Sequence, residues 1–157
     1  MSITLRKANV DELGVMHAIR RDAILGIESE SLALSDLKAW ADRRSTEFLA
    51  DRVAAGAVVI AVSEDNPIAW GSSFDDWITG IYVRPSSSHT GVGRTIMSRL
   101  ESDIVKRGHA CAYLESSPNA VGFYAKLGYT PVGLPDDDGT VPIKKSFRMA
   151  NAQRRAV

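Results

Sequence analysis

The spacing of apolar residues alternates between two periods along this chain, and each change marks a new element. Residues 3–7 read as a short strand. Leu13, Met16, Ile19 and Ala23 then recur at helical spacing behind Asn9, with Glu12 three residues further on as in a capping box. A second helical region begins near Ser35, carries Leu37 and Trp40 on one side, and continues through Phe48, Leu49 and Val53 until Gly56 stops it. Residues 57–63 and 68–74 return to strands around Glu64-Asp65-Asn66-Pro67, and Asp75-Asp76 turns the chain into a third strand over 77–83. Val92, Ile96, Leu100 and Ile104 fall four apart with Met97 beside them, one apolar stripe on a helix that ends at Gly108. Residues 110–115 form another strand. Ser117-Pro118 opens a short helix with a polar cap and a proline at its first position, and Gly128 ends it. Residues 129–134 and 141–149 pair as a hairpin across Pro135-Asp136-Asp137-Asp138-Gly139, and residues 151–157 read as a frayed tail.

The order β-α-α-β-β-β-α-β-α-β-β contains a strand meander and no βαβ repeat, so the expected class is α+β with a largely antiparallel sheet. No internal repeat, low-complexity tract or linker divides the 157 residues, so residues 1–150 are expected to be one domain and 151–157 a tail. A chain of this length buries roughly 70% of its unfolded surface. Its 45% hydrophobic and 24% charged residues are ordinary globular values. Nineteen basic residues balance nineteen acidic ones, which argues against nucleic acid as a partner. Cys111 is the only cysteine, so there is no intramolecular disulfide and no thiolate cluster for a metal; none is expected. No apolar run approaches the roughly 20 residues that span a bilayer, and no signal-peptide core is visible. A soluble, cytoplasmic protein without a membrane partner is the expectation.

Chemistry enters with Ile81-Tyr82-Val83-Arg84-Pro85-Ser86-Ser87-Ser88-His89-Thr90-Gly91-Val92-Gly93-Arg94. A β-branched strand breaks at a proline, crosses small polar residues and enters a helix through two glycines. The first turn of that helix has unpaired N–H groups and the positive end of its dipole, so the loop suits phosphate. A P-loop requires Gly-Lys-Ser/Thr, whereas Gly93 precedes Arg94-Thr95. A dinucleotide fingerprint requires G-x-G-x-x-G within a parallel βαβ unit, whereas Gly91-Val92-Gly93 leads to Ile96. Both readings fit poorly.

The loop resembles the acetyl-CoA loop of the GNAT superfamily of N-acetyltransferases, V-x-P followed by R/Q-x-x-G-x-G/A, through Val83, Pro85, Gly91 and Gly93. Ser88 stands where that pattern has Arg or Gln, and His89 where glycine is frequent. A second stretch, Ser117 to Tyr129, resembles N-x-x-A-x-x-F-Y-x-x-x-G-F/Y through Asn119, Phe123, Tyr124, Gly128 and Tyr129. Two motifs in the right order carry far more weight than either alone. The resemblance implies a GNAT-like fold, a mostly antiparallel sheet split around an acetyl-CoA site and flanked by helices. It implies acetyl-CoA as cosubstrate, with Ile81, Tyr82 and Val83 along the pantetheine arm. Ser88, His89, Thr90, Gly91, Val92, Gly93 and Arg94 would surround the phosphates, and Asn119 would bond the arm or fix its helix.

By the same resemblance the reaction is transfer of acetyl to a primary amine, on a small molecule or a peptide, by direct attack in a ternary complex. Tyr124 would be the general acid; a tyrosine hydroxyl, with an ordinary pKa near 10, holds its proton until a thiolate needs it. The general base is open. The inward positions of the strand before the loop carry Trp77 and Thr79, and Asp76 at its start or Glu115 on the neighbouring strand is the candidate carboxylate. Trp40 and Trp77 serve either the acceptor cleft or packing, Cys111 packs in the core, and Arg20-Arg21 are solvated. A noncatalytic acyl-CoA-binding or sensor module is the alternative, with a nucleotide-binding regulator behind it. Pairing of two copies through the final strands is plausible by analogy.

Overall fold

The computed structural model describes residues 2–28, 32–43 and 46–147. Strand β1 (Ile3–Lys7) leads into a single 3-10 turn, Val10–Glu12, and helix α1 (Leu13–Leu25). The Asn9 N–H donates to Glu12 Oε1 at 3.1 Å, and Arg6 donates to both oxygens of the same carboxylate. The Arg6 bonds hold Glu12 below the usual carboxylate range.

The second helical region is two helices rather than one. Helix α2 (Leu34–Asp42) ends where Arg43 swings to ψ 102°, and α3 (Thr46–Ala54) follows. One apolar period hid the break because both halves bury residues, though against different neighbours. Leu37 packs with Ile24 and Ala41, whereas Leu49 and Val53 join Met16 and Ile19 under the sheet.

The meander is β2 (Val58–Ser63), β3 (Asn66–Phe74) and β4 (Trp77–Val83). Its first turn is tighter than the sequence indicates. Ser63 pairs with Asn66, leaving only Glu64 and Asp65, both at positive φ (52° and 66°), so Asn66 and Pro67 belong to the strand. A left-handed pair of turn residues matches the twist of a hairpin. Helix α4 (Val92–Lys106) lays its predicted stripe on this sheet. A Cβ at Gly71 would sit 2.7 Å from Ile96 Cγ2, so glycine lets the helix approach there.

Strand β5 (Cys111–Ser116), a 3-10 turn over Pro118–Ala120 and helix α5 (Val121–Lys126) follow, and Gly128 takes φ +98° after the helix. The closing hairpin pairs β6 (Thr130–Pro131) with β7 (Val141–Ser146). Strand β6 is shorter than expected: Val132 still donates to the Pro142 carbonyl, after which Gly133 and Pro135 suit the ladder badly. The expected end of β7 at residues 148–149 and the tail at 151–157 lie outside the described residues.

The seven strands run β1-β2-β3-β4-β5-β7-β6, antiparallel at every junction except β4–β5. The sheet is therefore mostly antiparallel, as the α+β reading requires. Helices α1 and α3 cover one face through Met16, Ile19, Leu49 and Val53. Helices α4 and α5 cover the other through Ile96, Leu100 and Tyr124. No helix among the described residues is long and apolar enough to cross a membrane.

Candidate functional site

The site lies where β4 and β5 part. These parallel strands meet only at Trp77 and Tyr113, where the Tyr113 N–H donates to the Asp76 carbonyl at 2.9 Å. Beyond that junction they diverge, and one edge of β4 is left without a strand partner. Arg84 donates its N–H to the Ile68 carbonyl of β3 at 2.9 Å, so alternation along the strand turns the amides of Val83 and Ile81 toward the open edge. A bulge lies in the same strand: Ser72 faces Gly80 and Ser73 faces Ile78, leaving Thr79 extra. The Thr79 and Ser72 hydroxyls are 2.6 Å apart.

Two cavities, of about 500 and 620 Å³, occupy the split. They share Ile81, Val83, Asn119, Ala120 and Tyr124, and so form one trough from the glycine loop to the middle of the sheet. At the loop end, Pro85–Ser87 makes a 3-10 turn, His89 and Gly91 take φ of 64° and 84°, and α4 begins at Val92. The Ser88 hydroxyl donates to the Pro85 carbonyl at 2.8 Å, and Thr90 donates to the Ser87 carbonyl. These side chains brace the loop internally. The backbone amides from His89 to Arg94 donate to no acceptor among the described residues. Ser88, His89, Gly91, Val92, Gly93 and Arg94 line this cavity, whereas Thr90 does not.

The two glycines are needed for different reasons. A Cβ at Gly91 would meet nothing within 4 Å, but its φ of +84° is a conformation that L side chains rarely adopt. Gly93 is ordinary in φ, but a Cβ there would lie 3.3 Å from Phe123 Cζ and 3.7 Å from Val83 Cγ2. Phe123 and Val83 both line the trough, so bulk at residue 93 would intrude on it.

Tyr124 lines both cavities and is 6% exposed. Its ring meets Phe123 and Tyr129 edge-on, at 5.1 and 5.9 Å between centroids. No hydrogen bond is made by its hydroxyl among the described residues, which leaves it available to a ligand. Burial, with a smaller contribution from Tyr82, raises its pKa well above the ordinary value of 10.0. Asn119 is exposed and lines both cavities.

A profile of the acetyltransferase (GNAT) domain matches residues 28–142. The chain belongs to the GNAT family. It is similar to serotonin N-acetyltransferase 2, chloroplastic, of Oryza sativa subsp. japonica, at 32% identity over 72 residues, 43% of this chain and 36% of that protein. The match thus spans only about a third of the curated relative. Among solved structures, a GCN5-related N-acetyltransferase from Rhodopseudomonas palustris superimposes with a TM-score of 0.78 at 24% identity, covering 94% of this chain and 97% of that one. The PaiA N-acetyltransferase of Thermoplasma acidophilum, solved with coenzyme A, gives 0.75 at 21% identity, covering 94% and 100%. At these identities the two structures show the shared fold.

Within this GNAT domain the two candidate carboxylates separate. Glu115 is exposed and lines the 500 Å³ cavity, whereas Asp76 is absent from the walls of both cavities and lies at the closed end of the split. Their places along the strands are similar, and only the direction in which the strands diverge distinguishes them. Trp77 and Thr79 do line the trough; Trp77 is 41% exposed, with its ring 5.6 Å from that of Tyr113. Tyr82 lines it as well, near Trp70 and packed with the helices on the α1 face. A Cβ at Gly80 would lie 2.9 Å from Tyr82 Cε2, so the missing side chain makes room for that ring.

Arg20 is not simply solvated. Its terminal nitrogens donate to the Ala41 and Trp40 carbonyls at 3.1 and 3.2 Å, and its guanidinium lies 5.6 Å from the Tyr82 ring centroid. It ties α1 to the end of α2 beside the trough. Sequence reasoning missed this tie, the bulge and the place of Ala23 in the cavity wall. Ala23 reads as part of the helical stripe, with no local sign of a ligand.

Proposed function

We propose that this chain transfers the acetyl group of acetyl-CoA to a primary amine by direct attack in a ternary complex. The observation that carries the reading is the single trough, with unpaired loop amides at one end, the open edge of β4 along its length and Tyr124 facing both halves. The residues fit the cosubstrate. The His89 to Arg94 amides would hold the pyrophosphate, with Arg94 adding charge at the helix start. Ile81 and Val83 offer strand-type hydrogen bonds to the amides of the pantetheine arm, and Asn119 offers a side-chain amide.

Acetyl-CoA supplies an acyl group on a good leaving group. The amine must arrive neutral, and a lysine-like amine with pKa about 10.4 is neutral in only about one molecule in 2,500 at pH 7. Glu115, which lines the cavity, would accept that first proton, directly or through water. Attack then forms the C–N bond and breaks the C–S bond. Tyr124 donates to the departing sulfur, and the nitrogen's remaining excess proton restores its hydroxyl. The burial that keeps Tyr124 protonated also disfavours a lasting tyrosinate, so the two transfers belong to one relay.

Release of CoA thiol from acetyl-CoA in the presence of an amine panel, with the N-acetyl product identified by mass, tests the reaction. Tyr124→Phe is expected to lower kcat while leaving CoA binding unchanged. Tight CoA binding without turnover of any amine would instead identify a binding or sensor module.

A further inference from the structure

Past Tyr124, the 500 Å³ cavity is walled by Ala23, Ile24 and Ile27 at the end of α1, Trp40 of α2, and Trp77 and Tyr82 of β4. Among the described residues, Glu115 is the only carboxylate that lines it, and no lysine, arginine or histidine does. Arg20, close to Tyr82, gives two of its five N–H donors to the Ala41 and Trp40 carbonyls and is not among the lining residues. Trp77 is exposed and Trp40 only half-buried, so both leave indole surface outside the core. Three aromatic side chains past Tyr124 and a single carboxylate among the described lining residues, beside the uncharged Thr79, Ser117 and Asn119, favour a particular kind of acceptor.

We propose that the acceptor is a primary arylalkylamine carrying no acid group, an inference that rests on the acetyl-transfer reading above. An aromatic body finds three aromatic side chains from two elements, and its ammonium finds one carboxylate. A carboxylate on the acceptor would enter beside Glu115 with no cation to pair with among the described lining residues. The second ammonium of a polyamine would find no second carboxylate among the described residues that line the cavity. A peptide would bring backbone polar groups against the apolar wall of α1.

The decisive pair is 2-phenylethylamine and phenylalanine, which differ by one carboxylate. At pH 7 the α-amine of a peptide N-terminus is neutral in about one molecule in seven, an alkylamine in about one in 2,500. Preference for 2-phenylethylamine over the N-terminal peptide would therefore run against amine availability. With saturating acetyl-CoA, kcat/KM for 2-phenylethylamine is expected to exceed that for phenylalanine, spermidine and an N-terminal alanine peptide by at least about tenfold. Trp40→Ala is expected to raise KM for 2-phenylethylamine several-fold with the KM for acetyl-CoA unchanged, and Trp40→Phe to recover most of the loss. A better rate with phenylalanine, spermidine or the peptide overturns the proposal, as does CoA binding without turnover of the aromatic amine. Direct CoA titration distinguishes the failures: loss of the acceptor class alone leaves CoA binding intact, whereas no CoA binding sinks the acetyl-transfer reading too.

Discussion

The two ends of the trough are built from different materials. At the glycine-loop end the free donors are backbone amides from one stretch, His89 to Arg94, and the side chains of Ser88 and Thr90 brace the loop. At the far end the walls are side chains from α1, α2, β4 and β5, with residues as distant as Ala23 and Glu115 in one cavity. A backbone site needs only small residues in the right order, so it is written locally and tolerates side-chain changes. A side-chain site depends on how separate elements dock. Each position there changes what can bind.

The sharpest break between the ends is expected at Tyr124. Tyr124→Phe should lower kcat by about 100-fold, the lower end of general acid–base contributions. Titration should find CoA affinity within about threefold; comparable losses in both would place the hydroxyl in binding instead. Gly93→Leu should do the reverse, weakening CoA by about 30-fold through overpacking against Phe123 and Val83. Glu115→Gln is expected to reduce kcat/KM for amines about tenfold and Asp76→Asn to leave it nearly unchanged; the opposite ranking would move the proton acceptor to the closed end of the split.

Finer distinctions come at the loop. Gly91→Val forces a β-branched residue into the left-handed region and should weaken CoA about tenfold, against less than twofold for Ser88→Ala. Equal losses would refute a backbone cradle. The smallest expected change is with pH. Because the Tyr124 pKa is raised in the folded protein, its hydroxyl remains protonated through pH 10, and kcat should not fall between pH 8 and about 10. A decline with a midpoint near 10 that vanishes in Tyr124→Phe would contradict the burial argument.

Legibility followed the same division. The glycine loop and the Ser117-Pro118 start were readable because each depends on neighbours a few residues away, and the aromatic pair Phe123-Tyr124 through its resemblance to the GNAT motif. The break between α2 and α3 was not, since Leu37 and Leu49 keep a helical period while packing into different clusters. The Glu64-Asp65 turn is two residues long because Asn66 pairs with Ser63, a register no composition rule for loops predicts. Arg20 looked like half of a solvated pair, but the end of α2 brings carbonyls within its reach.

Sequence alone determined the class of the sheet and the phosphate-suited character of the loop, because periodicity, glycine placement and helix capping act over a few residues; Tyr124 stood out through the resemblance to the GNAT motifs. The tertiary structure decided where β4 and β5 part, which carboxylate enters the opening and which apolar residues wall its far end. Those depend on a single strand junction at Trp77 and Tyr113 and on a bulge at Thr79. Register and divergence are set by the packing of both sheet faces at once, so no local stretch of chain contains them.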